Sequence, residues 1–140
     1  MEEKLEGVDL STMAGRIRHY RVKKGIGQLE MGRRLGMKDC RSYAKTYENQ
    51  QSPANNLGMV KKICRILEVD EGLVYDFYLD FLSSDYLQKL KDLRGALGKT
   101  KKEMDSLLGN NCGLYGKWER GQQVPGRNSV RKILEWMDKI

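Results

Sequence analysis

Laying residues 16–36 over residues 89–109, an offset of 73, makes six of 21 positions identical: Arg21/Arg94, Gly25/Gly98, Glu30/Glu103, Met31/Met104, Leu35/Leu108 and Gly36/Gly109. An internal repeat constrains the fold more than any composition figure, because both copies must carry one element order and one core pattern. The likeness runs on. Tyr47-Glu48-Asn49 matches Trp118-Glu119-Arg120 once a two-residue insertion in the first copy is allowed, and Pro53 matches Pro125 with one further residue inserted in the second. Two copies of about 55 to 60 residues fill most of a 140-residue chain, and a unit of that size is small but able to fold. We divide the chain into a first copy at 11–69, a connector at 70–83 and a second copy at 84–140.

The repeated unit reads as helical. Proline occurs only at 53 and 125, β-branched runs are absent, and apolar residues recur at helical spacing. These features predict an all-α structure of short helices, about 8 to 14 residues each. Met13, Ile17 and Tyr20 form one stripe, Leu57, Val60, Cys64 and Leu67 a second, and Tyr86, Leu90, Leu93 and Leu97 a third; each is a helix face in a core. Gly25, Gly27, Gly36, Ser52-Pro53, Asp70, Ser83-Ser84, Gly98, Gly109 and Pro125 mark the breaks. Thr100-Lys-Lys-Glu103 is a capping box. Between the copies, Glu68 to Asp85 holds six acidic residues and no basic one. Its Val, Leu, Tyr and Phe density predicts a helix of about 12 residues that buries Phe77 or Phe81 and joins the domains, not a free tether.

Charge sorts the chain into basic, acidic and basic blocks. Ala14 to Leu67 carries 13 basic residues against Glu30, Asp39 and Glu48, and Tyr86 to Ile140 carries 12 against six. The whole chain is at +7 with pI near 9.3, which suits a polyanionic partner, either nucleic acid or an acidic membrane surface. No run of about 18 apolar residues exists and the MEEKLEG start lacks an apolar core, so neither a membrane span nor a signal peptide is expected, and the protein reads as cytoplasmic. Cys40, Cys64 and Cys112 are widely spaced, as reduced thiols would be. With His19 the only histidine, metal sites and His-based catalysis are not expected, and we expect no enzyme and no cofactor.

The head of the first copy, RIRHYRVKKGIGQLEMGRRLG, and the tail of the second, LLGNNCGLYGKWERGQQVP, resemble the lambda repressor/Cro-like (XRE) helix-turn-helix family, with Gln28 at the family's glutamine. The resemblance covers nearly the whole chain apart from the first ten or so residues and the connector. It implies tandem five-helix-type helix-turn-helix domains that place a third helix in the DNA major groove, in a homodimeric transcription repressor. A groove-reading helix needs long polar side chains on its exposed face. In the first copy that helix is expected from about Asp39 or Cys40 to Asn49, with Ala44 and Tyr47 inward and Arg41, Ser42, Lys45 and Thr46 outward. Arg41 suits guanine, since its fork can grip O6 and N7 together. The resemblance puts Gln28 on phosphate and against the reading helix, with Asn49 following on the backbone.

The second copy departs from the family pattern at Asp105, at Asn110, and at Gly113 and Gly116 inside its expected reading helix, where each glycine weakens a helix. Its groove-facing set is poorer: Asn111, Cys112, Leu114 and Lys117, with Lys101 in place of the glutamine and Arg120 after the motif's glutamate. This copy either reads bases, contacts phosphate alone, or serves dimerisation or a protein partner through Leu114, Tyr115, Trp118 and Trp136, although core packing is the default for the tryptophans. Arg21 with Glu48, and Arg94 with Glu119, fall where the family has a partly buried ion pair, and a glutamate facing DNA would repel phosphate, so both are structural. His19 is expected on an exposed helix face, and Cys40 and Cys112 as packing residues. The expected function is sequence-specific binding of double-stranded DNA in transcription regulation. The alternative is an antitoxin or phage-type inhibitor of a host defence protein, with one DNA-binding and one protein-binding half.

Overall fold

The computed structural model describes residues 8–49 and 54–140; the MEEKLEG start, the Ser52-Pro53 break and the match of Pro53 to Pro125 lie outside the described residues. Among the described residues the chain forms α1 (Met13–Lys24), α2 (Gln28–Arg34), α3 (Ser42–Tyr47), α4 (Leu57–Leu67), a 3-10 turn (Glu71–Leu73), α5 (Phe77–Ser83), α6 (Tyr86–Leu97), α7 (Lys101–Leu108), α8 (Leu114–Glu119) and α9 (Arg127–Met137), with no strand. The all-α expectation holds. Helix lengths restate the sequence repeat: 12, 7, 6 and 11 residues in α1 to α4, then 12, 8, 6 and 11 in α6 to α9. Each copy carries four α-helices among the described residues, where the resemblance implies five.

The repeated glycines terminate the first helix of each copy. Gly25 and Gly98 adopt left-handed φ of 76° and 62°, which lets their N–H groups return to the last carbonyls of α1 and α6. Thr12, Asn56 and Asp85 accept amide bonds at the starts of α1, α4 and α6, and the capping box at Thr100 and Glu103 is formed. Four helices fall short of the expected length: α2 and α5 have seven residues, α3 and α8 six. Packing, not length, stabilises them, since isolated helices this short are marginal in water.

The chain divides into two compact units, Met1–Asp80 and Phe81–Ile140. The acidic segment is not a unit of its own, and the boundary falls within α5. It is also not one helix: the 3-10 turn and α5 are separated at Val74 to Asp76, although Val74, Tyr75, Tyr78, Leu79 and Phe81 are all buried and Phe77 is half-buried. In the first unit α2 packs on α3 and α1 on α4, around Ile17, Met31, Tyr43, Val60 and Ile63. In the second, α8 packs on α6 and α7, and α7 on α9, around Leu90, Met104, Tyr115, Trp118, Val130 and Ile133. Of the three stripes, Met13, Ile17, Val60, Cys64, Leu67, Leu90 and Leu93 are buried, while Tyr20, Leu57, Tyr86 and Leu97 are half-buried at the edges.

A lysine contact repeats as well. Lys62 of α4 donates to the Leu35 carbonyl at 3.1 Å, and Lys132 of α9 donates to the Leu108 carbonyl at 3.2 Å. Both place a cation on the open carbonyl end of the second helix of their copy, where the dipole favours it.

Candidate nucleic-acid interface

The turn between the second and third helices of each copy is built by two different solutions to one problem. In the first unit the Cys40 backbone crosses Gly32 of α2 so closely that a Cβ there would stand 2.5 Å from the Cys40 carbonyl oxygen. In the second unit the corresponding residue is Asp105, buried, and its carboxylate accepts from the Gly113 amide at 2.9 Å, the Tyr115 amide at 2.8 Å and the Asn110 side chain at 3.2 Å. The two departures from the family pattern, Asp105 and Asn110, thus form one polar staple at the start of α8. Gly113 does not weaken α8 from within: it precedes the helix at φ 90°, a conformation that favours glycine.

Beneath α3, the Arg21 Nε and Nη2 donate to the two Glu48 carboxylate oxygens at 2.6 and 2.9 Å, with both side chains essentially inaccessible (1% and 0% exposed). Arg21 also donates to the Ile26 carbonyl, so one guanidinium ties α1, the turn after it and the end of α3 together. Gln28 donates to Glu48 at 3.3 Å, so its amide buttresses the end of α3. The second unit repeats the fork: Arg94 meets Glu119 at 2.8 and 3.2 Å, but Arg94 keeps 30% of its side chain exposed. The hydrogen bonds that Arg94 donates to Glu119 raise the Arg94 pKa, and burial together with the Glu48 charge pushes the Tyr43 phenol far above its ordinary range. Both glutamates are structural, as expected.

These buried frames leave the outer side of α3 to polar groups. Lys45, Thr46 and Asn49 are exposed, Ser42 is half-buried, and Arg41 stands 84% exposed just before the helix, not within it. Arg41 reaches back to Asp39 at 3.3 Å, and the two hydrogen bonds from Arg41 lower the Asp39 pKa. The inward residues are Tyr43 and Tyr47, four apart, whereas Ala44 is half-buried. In the second unit Lys101, Asn111, Lys117 and Arg120 are exposed and Leu114 is half-buried, but Tyr115 and Trp118 belong to the core, the Tyr115 hydroxyl donating to the Leu90 carbonyl. Cys112 is exposed, not a packing residue, and His19 is half-buried against Tyr20.

No family model, no curated protein and no solved structure matches the chain. The candidate interface therefore rests on geometry alone.

Not all of the basic block faces solvent. Arg16 donates to the carbonyls of Leu10, Val74 and Tyr75, Lys24 pairs with Glu68 at 2.9 Å, and Arg21 and Lys62 are engaged as described. Glu30 binds both Arg33 and Arg34 on the surface of α2. Among the described residues no group of three or more His, Cys, Asp or Glu could hold a metal ion, and no helix is long and apolar enough to cross a membrane.

Proposed function

We propose that the chain is a sequence-specific, double-stranded DNA-binding regulator of transcription, a repressor that works as a homodimer. The observation that carries this reading is the frame under α3: a twice-bonded Arg21–Glu48 pair with Gln28 against it, and Arg41, Lys45, Thr46 and Asn49 exposed above. A six-residue helix held this way can present long donors to base edges without refolding, which direct readout in the major groove requires. Arg41 is the expected guanine reader, because an exposed pair such as Arg41 with Asp39 contributes little and yields readily to a bidentate contact. The second unit contributes sequence-independent contacts from Lys101, Lys117 and Arg120. Selection from a random duplex pool, followed by footprinting, tests the reading. An enriched site with two-fold symmetry and half-sites about 34 Å, or a multiple, apart supports a homodimer. A pool that never departs from random, with no protected bases at any protein concentration, overturns it.

A further inference from the structure

Gly116 sits in the middle of α8, the one position where a six-residue helix can least spare a side chain. It is nevertheless buried, and what covers it is cationic. A Cβ built there would stand 3.1 Å from the Arg120 Nη1 and 3.5 Å from the Lys101 Cδ, so both side chains lie over the missing methyl. They come from different helices, Lys101 from the first position of α7 and Arg120 from the end of α8. Neither makes an ion pair among the described residues; Arg120 is held by the Gln122 side chain at 3.2 Å, a neutral partner. Two like charges gathered without a carboxylate repel each other, and an anion between them removes that repulsion. The start of α7 is not itself the attraction, since its Thr100 and Glu103 capping box already engages amides there.

We infer that Lys101 and Arg120, folded together over Gly116, form one seat for a phosphate group, and that the absent side chain at 116 is what makes the seat. The inference rests on the DNA-binding reading and deepens it: the ligand is a single backbone phosphate of duplex DNA, held without regard to base. The first unit has no counterpart, because Gln28 at the place of Lys101 is neutral and turned to Glu48.

Gly116→Ala separates this role from a structural one, because the two move in opposite directions. Alanine favours a helix interior and the contact it meets is the far end of a flexible side chain, so the thermal midpoint of the variant should rise. Displacing Arg120 should nevertheless weaken binding of the full chain to a random-sequence 20-base-pair duplex by roughly tenfold and lower the salt slope by about one. Lys101→Ala should do the same alone and add little in the Gly116→Ala background. If Gly116→Ala instead lowers the midpoint, Arg120→Gln, which leaves α8 intact, carries the same expectation. Wild-type affinity and slope in these variants would overturn the seat while leaving the DNA-binding reading in place. If the wild-type chain binds no duplex at all, that reading fails, and titration with inorganic phosphate decides the seat separately. Amide shifts centred on Gly116 that vanish in Lys101→Ala support it, and their absence rejects it.

Discussion

The two arginine–glutamate forks are matched in sequence but not in burial, and that difference should be measurable. Glu48→Gln leaves the Arg21 charge buried without its counter-charge and should cost about 3–5 kcal/mol. Glu119→Gln leaves Arg94, which reaches solvent, and should cost less, about 1–3 kcal/mol. Far-UV circular dichroism during urea unfolding reports both units, while tryptophan fluorescence reports the second alone, because Trp118 and Trp136 both lie there. Equal losses would contradict the burial argument. The thiols should separate just as clearly. Burial, then the charges of Glu71 and Asp70, raises the Cys64 pKa to about 11 from 9.0, so the folded state favours the thiol. The stability that the raised thiol pKa contributes is present below pH 9.0 and is lost as the pH rises toward about 11. Alkylation by iodoacetamide at pH 8 should take exposed Cys112 first, Cys40 next and Cys64 only on unfolding.

At the scale of elements, the turns before α3 and α8 respond to opposite substitutions. Gly32→Ala drives a Cβ into the Cys40 backbone, which cannot swing aside as a side chain can, and should cost about 1–3 kcal/mol or more. Asp105→Ala removes a buried acceptor from two amides, and the expected loss is about 1–3 kcal/mol, with faster hydrogen exchange at Gly113 and Tyr115 than elsewhere in the second unit. Exchange that stays protected at both amides would show that Asp105 does not hold the turn. The capping box adds a pH dependence. Hydrogen bonds from Thr100 hold the Glu103 pKa below its ordinary 4.5, so this carboxylate stabilises α7 above that pH and the contribution is lost as pH falls through the lowered value. Thermal midpoints from pH 6 to pH 3 should therefore fall less steeply in Glu103→Gln than in the wild type.

For the whole molecule, the proposed division of labour gives two kinds of DNA-binding defect. Arg41→Ala should cost about 1–3 kcal/mol and relax preference at one base pair, whereas Lys101→Ala should weaken all sequences alike and reduce the salt slope by about one. Anisotropy titrations on a selected site at several salt concentrations separate them; an Arg41→Ala variant that binds like wild type, beside Asn111 or Lys117 variants without sequence preference, would reverse the roles of the copies. The stretch from 70 to 84 should resist limited proteolysis, because Val74, Tyr75, Tyr78, Leu79 and Phe81 are buried. How much of this was legible beforehand follows from the range of each interaction. Helical periodicity, the capping box, the terminating glycines and the paired Arg–Glu positions were readable because they are local or repeat in register. The later start of α3 was not, since Tyr43 takes the core place expected of Ala44 only once α2 packs against it. Nor were the roles of Lys62, Lys132 and Arg16, whose acceptors are backbone carbonyls that every residue possesses. Asp105 reads as a defect in a pattern until the chain closes three donors around it, and Gly116 as a weak point until Lys101 and Arg120 cover it. The sequence by itself determined the helical class, the duplication and the twin ion pairs, because spacing along one helix or identity between two copies encodes them. Only the tertiary structure decided which charges remain at the surface, since whether a cation meets a carboxylate, a carbonyl or solvent depends on what the fold brings beside it.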